Sequence, residues 1–173
     1  YTGDGNSTQP IPGLGFQPEY VMVMSEGNTP VVHRSEDMSF GEALNADGAG
    51  NPGRINSLTS PVNGFTVGNS SYTNTLSTVY HYMAWNKSTG RMNTGTYVGN
   101  SDGSTNDNRP ISDIGFKPEI VFVANEGYDQ TMFHTTSMGD NTDTSARIDQ
   151  YGNETNSIQK LQSDGFEVGT SSK

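Results

Sequence analysis

The 173-residue chain carries 19 acidic against 9 basic side chains, for a net charge of −10, and only 30% of its residues are apolar. With no basic stripe to displace counterions from phosphates, a nucleic-acid partner is excluded, and so is an anionic membrane surface. The absence of cysteine excludes a disulfide scaffold and thiolate metal sites, and no apolar run has the length needed to cross a bilayer.

Most of the remainder is Gly, Asn, Ser and Thr, the composition of short strands joined by many turns. Disorder gives no reason for the apolar residues to fall in compact alternating runs, as they do. The chain opens on Tyr1 without an initiator methionine, as an excised or processed piece of a longer protein would. Taken in chain order, alternation and β-branched or aromatic content predict strands at 1–3, 19–25, 30–34, 54–59, 63–68 and 78–85. Further strands are expected at 95–99, 119–124, 130–135, 146–150 and 164–169.

In the second of these, Val21 and Val23 face one side and Tyr20, Met22 and Met24 the other. Both faces are apolar, which predicts a central strand covered on each side. The same alternation in "YHYMAW" sets His81, Met83 and Trp85 against Tyr80, Tyr82 and Ala84. Pro18 and Pro118 hold the chain extended at the entry to a strand, where a missing amide donor costs least. Glu26-Gly27-Asn28 and Glu126-Gly127-Tyr128 are expected as hairpin turns, with glycine at positive φ. The polar segments 35–53 and 136–145 are expected as surface loops, with a hint of helix only in 36–46.

Internal repetition is the strongest signal. "GFQPEYVMVMSEG" at 15–27 returns as "GFKPEIVFVANEG" at 115–127, and "QPIPGLGF" ahead of it as "RPISDIGF". "VVHRSEDM" is answered by "MFHTTSM", an alignment that inserts one residue and brings His33 onto His134. "NGFTVGNSS" at 63–71 matches "DGFEVGTSS" at 164–172, and "YTGDGN" corresponds to the longer "YVGNSDGSTNDN". The expected architecture is therefore all-β, two tandem antiparallel β-sandwich (jelly-roll-like) repeats, at 1–94 and 95–173. The first repeat continues into the aromatic strand 78–85, whereas the second stops at Lys173 and lacks that last strand. A truncated boundary is one explanation, and a strand donated from a neighbouring subunit is the other.

Candidate chemistry is sparse. His33, His134 and His81 have no nucleophile elbow, "HExxH" or comparable cluster beside them, so structural or surface roles are expected. Glu19 and Glu119, and Glu26 and Glu126, recur between the repeats, but nothing brings either pair within the reach that glycoside hydrolysis needs. No catalytic residue is assigned and no enzymatic activity is expected. Calcium is the more plausible cofactor. Asp4 and Asn6 in "TGDGNST", Asp102, Asn106 and Asp107 in "SDGSTNDN", and Asp140 and Asp143 in "MGDNTDTS" concentrate hard oxygen donors in short loops, though none has EF-hand spacing. The competing explanation is polar turns kept soluble by Asp and Asn. Trp85, Tyr82 and Tyr128 are the aromatics that would stack on a sugar if they stood exposed beside an acidic loop.

The sequence "YTGDG" at 1–5, "GLGFQPEYVMV" at 13–23, "NGFTVGNSS" at 63–71 and "YHYMAW" at 80–85 resembles repeats found in phage and prophage virion proteins of the tail or tail-fibre type. The resemblance covers nearly the whole chain and rests on turn-and-strand signatures, with no catalytic residues to carry over. It implies a non-enzymatic structural or display module on a virion surface or in another extracellular assembly. The implied partners are neighbouring copies or other subunits of that assembly. The alternative is a carbohydrate-binding module, calcium-assisted, that recognises a cell-surface glycan.

Overall fold

Strands form where alternation gives a short segment one apolar side to bury, and they do so in two sets. The computed structural model describes every residue except 28, 39–41, 46–49, 53, 100–107, 126–129, 140–141, 149–151 and 172–173. The first set is β1 (Thr8–Ile11), β2 (Tyr20–Ser25), β3 (Val32–Ser35), β4 (Glu42–Asn45), β5 (Gly50–Pro52), β6 (Ile55–Ser57), β7 (Phe65–Gly68) and β8 (Tyr80–Trp85). These make one sheet in the order β1-β7-β6 and another in the order β5-β4-β3-β2-β8. The second set is β9 (Arg109–Ile111), β10 (Ile120–Val123), β11 (Met132–Thr135), β12 (Thr144–Arg147), β13 (Asn153–Thr155), β14 (Ile158–Gln162) and β15 (Gly165–Val168). They form the sheets β14-β15-β9 and β10-β11-β12-β13. All pairings are antiparallel. The chain is all-β; the helical element among the described residues is a single 3-10 turn at Thr136–Met138. No helix among them is long and apolar enough to cross a membrane.

Each pair of sheets encloses its own core. Ile11, Ile55, Phe65 and Val67 from the smaller sheet meet Val21, Val23, Val32, Ala43 and Tyr80 from the larger. In the second set Ile158, Leu161, Phe166 and Val168 meet Met132, with Val121 and Val123 half-buried against them. At about 1.5–3 kcal/mol for each large side chain fully buried, these few residues supply most of the stabilisation a chain this polar can muster.

The two sets correspond strand for strand. The order β9-β15-β14 follows β1-β7-β6, and β10-β11-β12-β13 follows β2-β3-β4-β5, while β8 has no counterpart among the described strands. Two shared features of the sequence acquire a reason. A Cβ on Gly64 would collide with the carbonyl oxygen of Ile11, and one on Gly165 with that of Ile111, so glycine lets the first strand of each set lie against the seventh. Gly13 and Asp113 both hold positive φ, 92° and 69°, so the second set keeps the same bend with a residue type that tolerates it.

The strand β2 is central, between β3 and β8, with Val21 and Val23 facing the core and Met22 buried on the opposite face. Several expectations are corrected. The segment 35–53 contains β4 and β5 rather than a loop with a trace of helix, and β12 begins inside 136–145. No strand forms at 95–99, and 1–3 contributes only the bridge Thr2↔Val79. Gly27 does not take positive φ; the corresponding turn at 126–128 lies outside the described residues.

Register corrects the alignment of the histidines. Val21 pairs with Arg34 and Met22 with His33, while Val121 pairs with His134 and Phe122 with Phe133. The hairpins therefore match without a gap, so that His33 corresponds to Phe133 and Arg34 to His134. Side chains alternate with period 2, which puts His134 on the core face and His33 on the opposite one.

Candidate functional site

The loop that carries Asp4 and Asn6 is anchored at Thr2 and Gly3 by main-chain contacts with Ser77, Thr78 and Val79, and its tip is held by the distant side chain of Asn74. Asn74 is buried at 1% exposure. Its Oδ1 accepts from the Asp4 amide at 2.8 Å, and its Nδ2 donates to Asp4 Oδ1 at 3.0 Å and to the Asn6 carbonyl at 3.1 Å. The Asn6 amide also donates to Asp4 Oδ1 at 2.9 Å. That amide, and then the Asn74 side chain, hold the Asp4 carboxyl below its usual range, because both favour the ionised form. Gly5 takes φ 71° at the tip of the turn. Asp4 thus closes its own loop, as Asp does in an Asx-turn, and Asn6 takes part through main-chain atoms.

Asp143 lies in the second set, at φ 49°. Its carbonyl accepts from the Asn156 amide at 3.3 Å, and its Oδ1 is shut from solvent with no hydrogen-bond partner among the described residues. Asp102, Asn106, Asp107 and Asp140 lie outside the described residues. Among those described, no three His, Asp or Glu side chains come together as a group able to hold a metal ion.

The three histidines have three different environments. His33 is 2% exposed. One ring nitrogen, Nδ1, meets the Tyr20 hydroxyl at 3.2 Å, and the other, Nε2, meets Thr131 Oγ1 at 2.9 Å. Thr131 precedes β11, so this contact joins the two strand sets across the outer face of the β5-β4-β3-β2-β8 sheet. Burial pushes the imidazole down to about 4, well below its ordinary 6.5, since desolvation penalises the cation. His134 is fully buried and its Nδ1 donates to the Thr144 carbonyl at 3.0 Å. His81 is exposed, and its Nε2 meets Glu26 Oε1 at 3.0 Å.

Other buried polar groups are tied to main-chain atoms. Arg34 donates through Nη1 to the carbonyls of Ile55 at 2.6 Å and Asn56 at 3.1 Å, fastening the larger sheet to β6. Ser145 Oγ both donates to the Ile158 carbonyl at 2.6 Å and accepts from the Ile158 amide at 2.8 Å, fastening β12 to β14.

Exposed aromatic surface collects on the outer face of β8. Trp85 is 39% exposed and Met83 45%, and the Tyr20 ring stands 5.7 Å from Trp85 at 52°. Carboxylates rim this end of the strand. Glu19 accepts from the Lys87 amide, and the Lys87 ammonium pairs with Glu36, which raises its pKa. Tyr82 is on the opposite face of β8, edge-on to Phe65 at 5.2 Å and 71°. Trp85 and Tyr82 therefore do not make one patch, and Tyr128 lies outside the described residues. Sequence reasoning missed Asn74 and Arg34, whose partners lie far along the chain; alternation beside His33 was the one available signal for Arg34. No protein-family model, curated protein or solved structure matches the chain.

Proposed function

We propose that the chain is a non-enzymatic structural or display module of a virion surface or other extracellular assembly, with neighbouring copies or other subunits as its partners. The observation that carries this reading is how the buried polar side chains are used. His33 bridges Tyr20 and Thr131, Arg34 caps carbonyls of β6, Asn74 closes the 2–6 loop, and Ser145 clasps Ile158. Each holds sheet to sheet or loop to strand, which is the work of a scaffold.

A second reading, carbohydrate binding, is favoured by one feature, the half-exposed Trp85 beside Tyr20 and the Glu19–Lys87–Glu36 rim. Trp85 is the single tryptophan of the chain, so its fluorescence reports on that surface alone. Bacterial surface polysaccharides titrated into the protein, with calcium and then with excess chelator, separate the readings. The display module predicts neither fluorescence quenching nor new reducing ends. Saturable quenching in the native chain, with calorimetric binding of the same polysaccharide lost in Trp85→Ala, would replace it with the carbohydrate-binding module, and calcium dependence of that binding would identify the cofactor. Accumulating reducing ends would make the chain an enzyme.

A further inference from the structure

Val21 and Val23 in β2 are fully buried, yet their counterparts Val121 and Val123 in β10 are only half-buried. The difference comes from β8. It pairs with β2 over six residues, from Tyr20↔Trp85 to Ser25↔Tyr80, and lays Tyr80, Tyr82 and Ala84 along the core-facing side of that edge. Tyr80 stacks on Tyr1 at 5.2 Å and 15°, and Tyr82 meets Phe65. Among the described residues β10 has β11 on one side and no strand on the other, which leaves Ile120 and Phe122 exposed.

The aromatic frame that receives β8 is nevertheless present twice. Tyr97 meets Phe166 at 6.3 Å and 69°, as Tyr1 meets Phe65 at 6.4 Å and 75°. Among the described residues no ring stacks on Tyr97 as Tyr80 does on Tyr1; Tyr97 is 36% exposed with the Arg109 guanidinium 5.7 Å from its centre. The edge itself, Ile-Val-Phe-Val, has no charge and no proline, the devices that normally keep an exposed strand from pairing.

We propose that the open edge of β10 accepts an antiparallel strand from outside residues 1–173, carrying two aromatic residues two positions apart on its core-facing side. The first ring would stack on Tyr97 and the second would meet Phe166, closing the second core as Tyr80 and Tyr82 close the first. The only stretch of this chain with that pattern, Tyr80–Ala84, is already paired with β2, so the occupant comes from outside residues 1–173. With a net charge of −10 on the acceptor, it is a neutral or basic segment. This inference rests on sheet geometry and stands whether or not the display reading holds.

The test uses the full chain and a blocked, labelled peptide with the sequence of residues 78–87, TVYHYMAWNK. Saturable binding is expected, together with new amide protection confined to β10. Two stacking contacts set the affinity, so the peptide with both tyrosines replaced by alanine should bind at least about tenfold more weakly. Tyr97→Leu, checked for an unchanged near-ultraviolet spectrum, should weaken the native peptide likewise. Absence of binding while β10 amides remain exchangeable would overturn the proposal. So would equal binding of the alanine peptide, or protection appearing on β2 instead. A homodimer that protects β10 without peptide would make a second copy the occupant and overturn it as well.

Discussion

Tyr80→Ala is expected to destabilise the chain by about 3–5 kcal/mol, the usual cost of removing a fully buried aromatic ring. Tyr80 is 1% exposed and sits where three elements converge. Its ring stacks on Tyr1 at 5.2 Å. Its hydroxyl donates to the Ser71 carbonyl at 2.9 Å and accepts from the Thr75 amide at 3.0 Å. The carbonyl of Tyr80 receives the N-terminal ammonium at 2.9 Å. The residue thus pins the N-terminal segment and the 70–75 turn to the edge of the larger sheet. Tyr80→Phe keeps the ring but leaves the Thr75 amide and the Ser71 carbonyl short of a partner, at about 1–3 kcal/mol. Urea denaturation of both variants checks the order. Equal losses would mean that the hydroxyl rather than the ring carries the contribution of Tyr80.

The second large effect is on acidification. Burial depresses the His33 imidazole from 6.5 unfolded to about 4 folded. Between those values the unfolded chain binds a proton that the folded chain refuses, so stability falls as the pH drops through the window. The whole contribution is present above about pH 6.5 and gone below about pH 4, and it amounts to about 3 kcal/mol. Neither neighbour offers relief, since Tyr20 and Thr131 present hydroxyls and no counter-charge. Carboxylates titrate in the lower part of the same window, so the informative quantity is a difference. His33→Gln keeps a polar side chain and removes the titration; its stability should follow that of the native chain above pH 7 and lose about 3 kcal/mol less by pH 4. Parallel pH profiles would show that His33 takes up its proton without opening the contact with Thr131.

Much of the fold was legible because inner-face residues of the main strands are strongly apolar. In β2 the run Tyr-Val-Met-Val-Met announces both faces at once, and β8 displays its alternation as plainly. The missed strands are those where apolar alternation is broken or absent. β14 reads Ile-Gln-Lys-Leu-Gln, and a register shift between Ile158 and Lys160 puts its core residues Ile158 and Leu161 three positions apart. The strand expected at 146–150 overlaps β12 but begins two residues late, because Ser145 rather than an apolar side chain faces the interior there. Conversely, Tyr97 and Val98 suggested a strand at 95–99, but strand propensity alone does not form a ladder without a partner.

The histidine alignment failed for a related reason. Matching His33 to His134 by identity required a one-residue gap, and in a strand one residue is half the period. The ungapped register instead puts an arginine and a histidine at the same core position, Arg34 and His134, each bonded to main-chain carbonyls of a neighbouring strand or sheet. The 2–6 loop shows the limit of local reading. Its Asp and Gly spacing marked a turn, but what closes it is Asn74, 70 residues away from Asp4.

The same sheet order occurs in both strand sets, closed by β8 in the first and, among the described residues, open at β10 in the second. Amide hydrogen exchange on the isolated chain tests this most directly. In β2 every amide should be protected, because a strand lies on each side. In β10, alternate amides of Ile120–Val123 should exchange rapidly, since only those facing β11 are bonded. Uniform protection across both strands would contradict the account, because the edge of β10 would then already be paired.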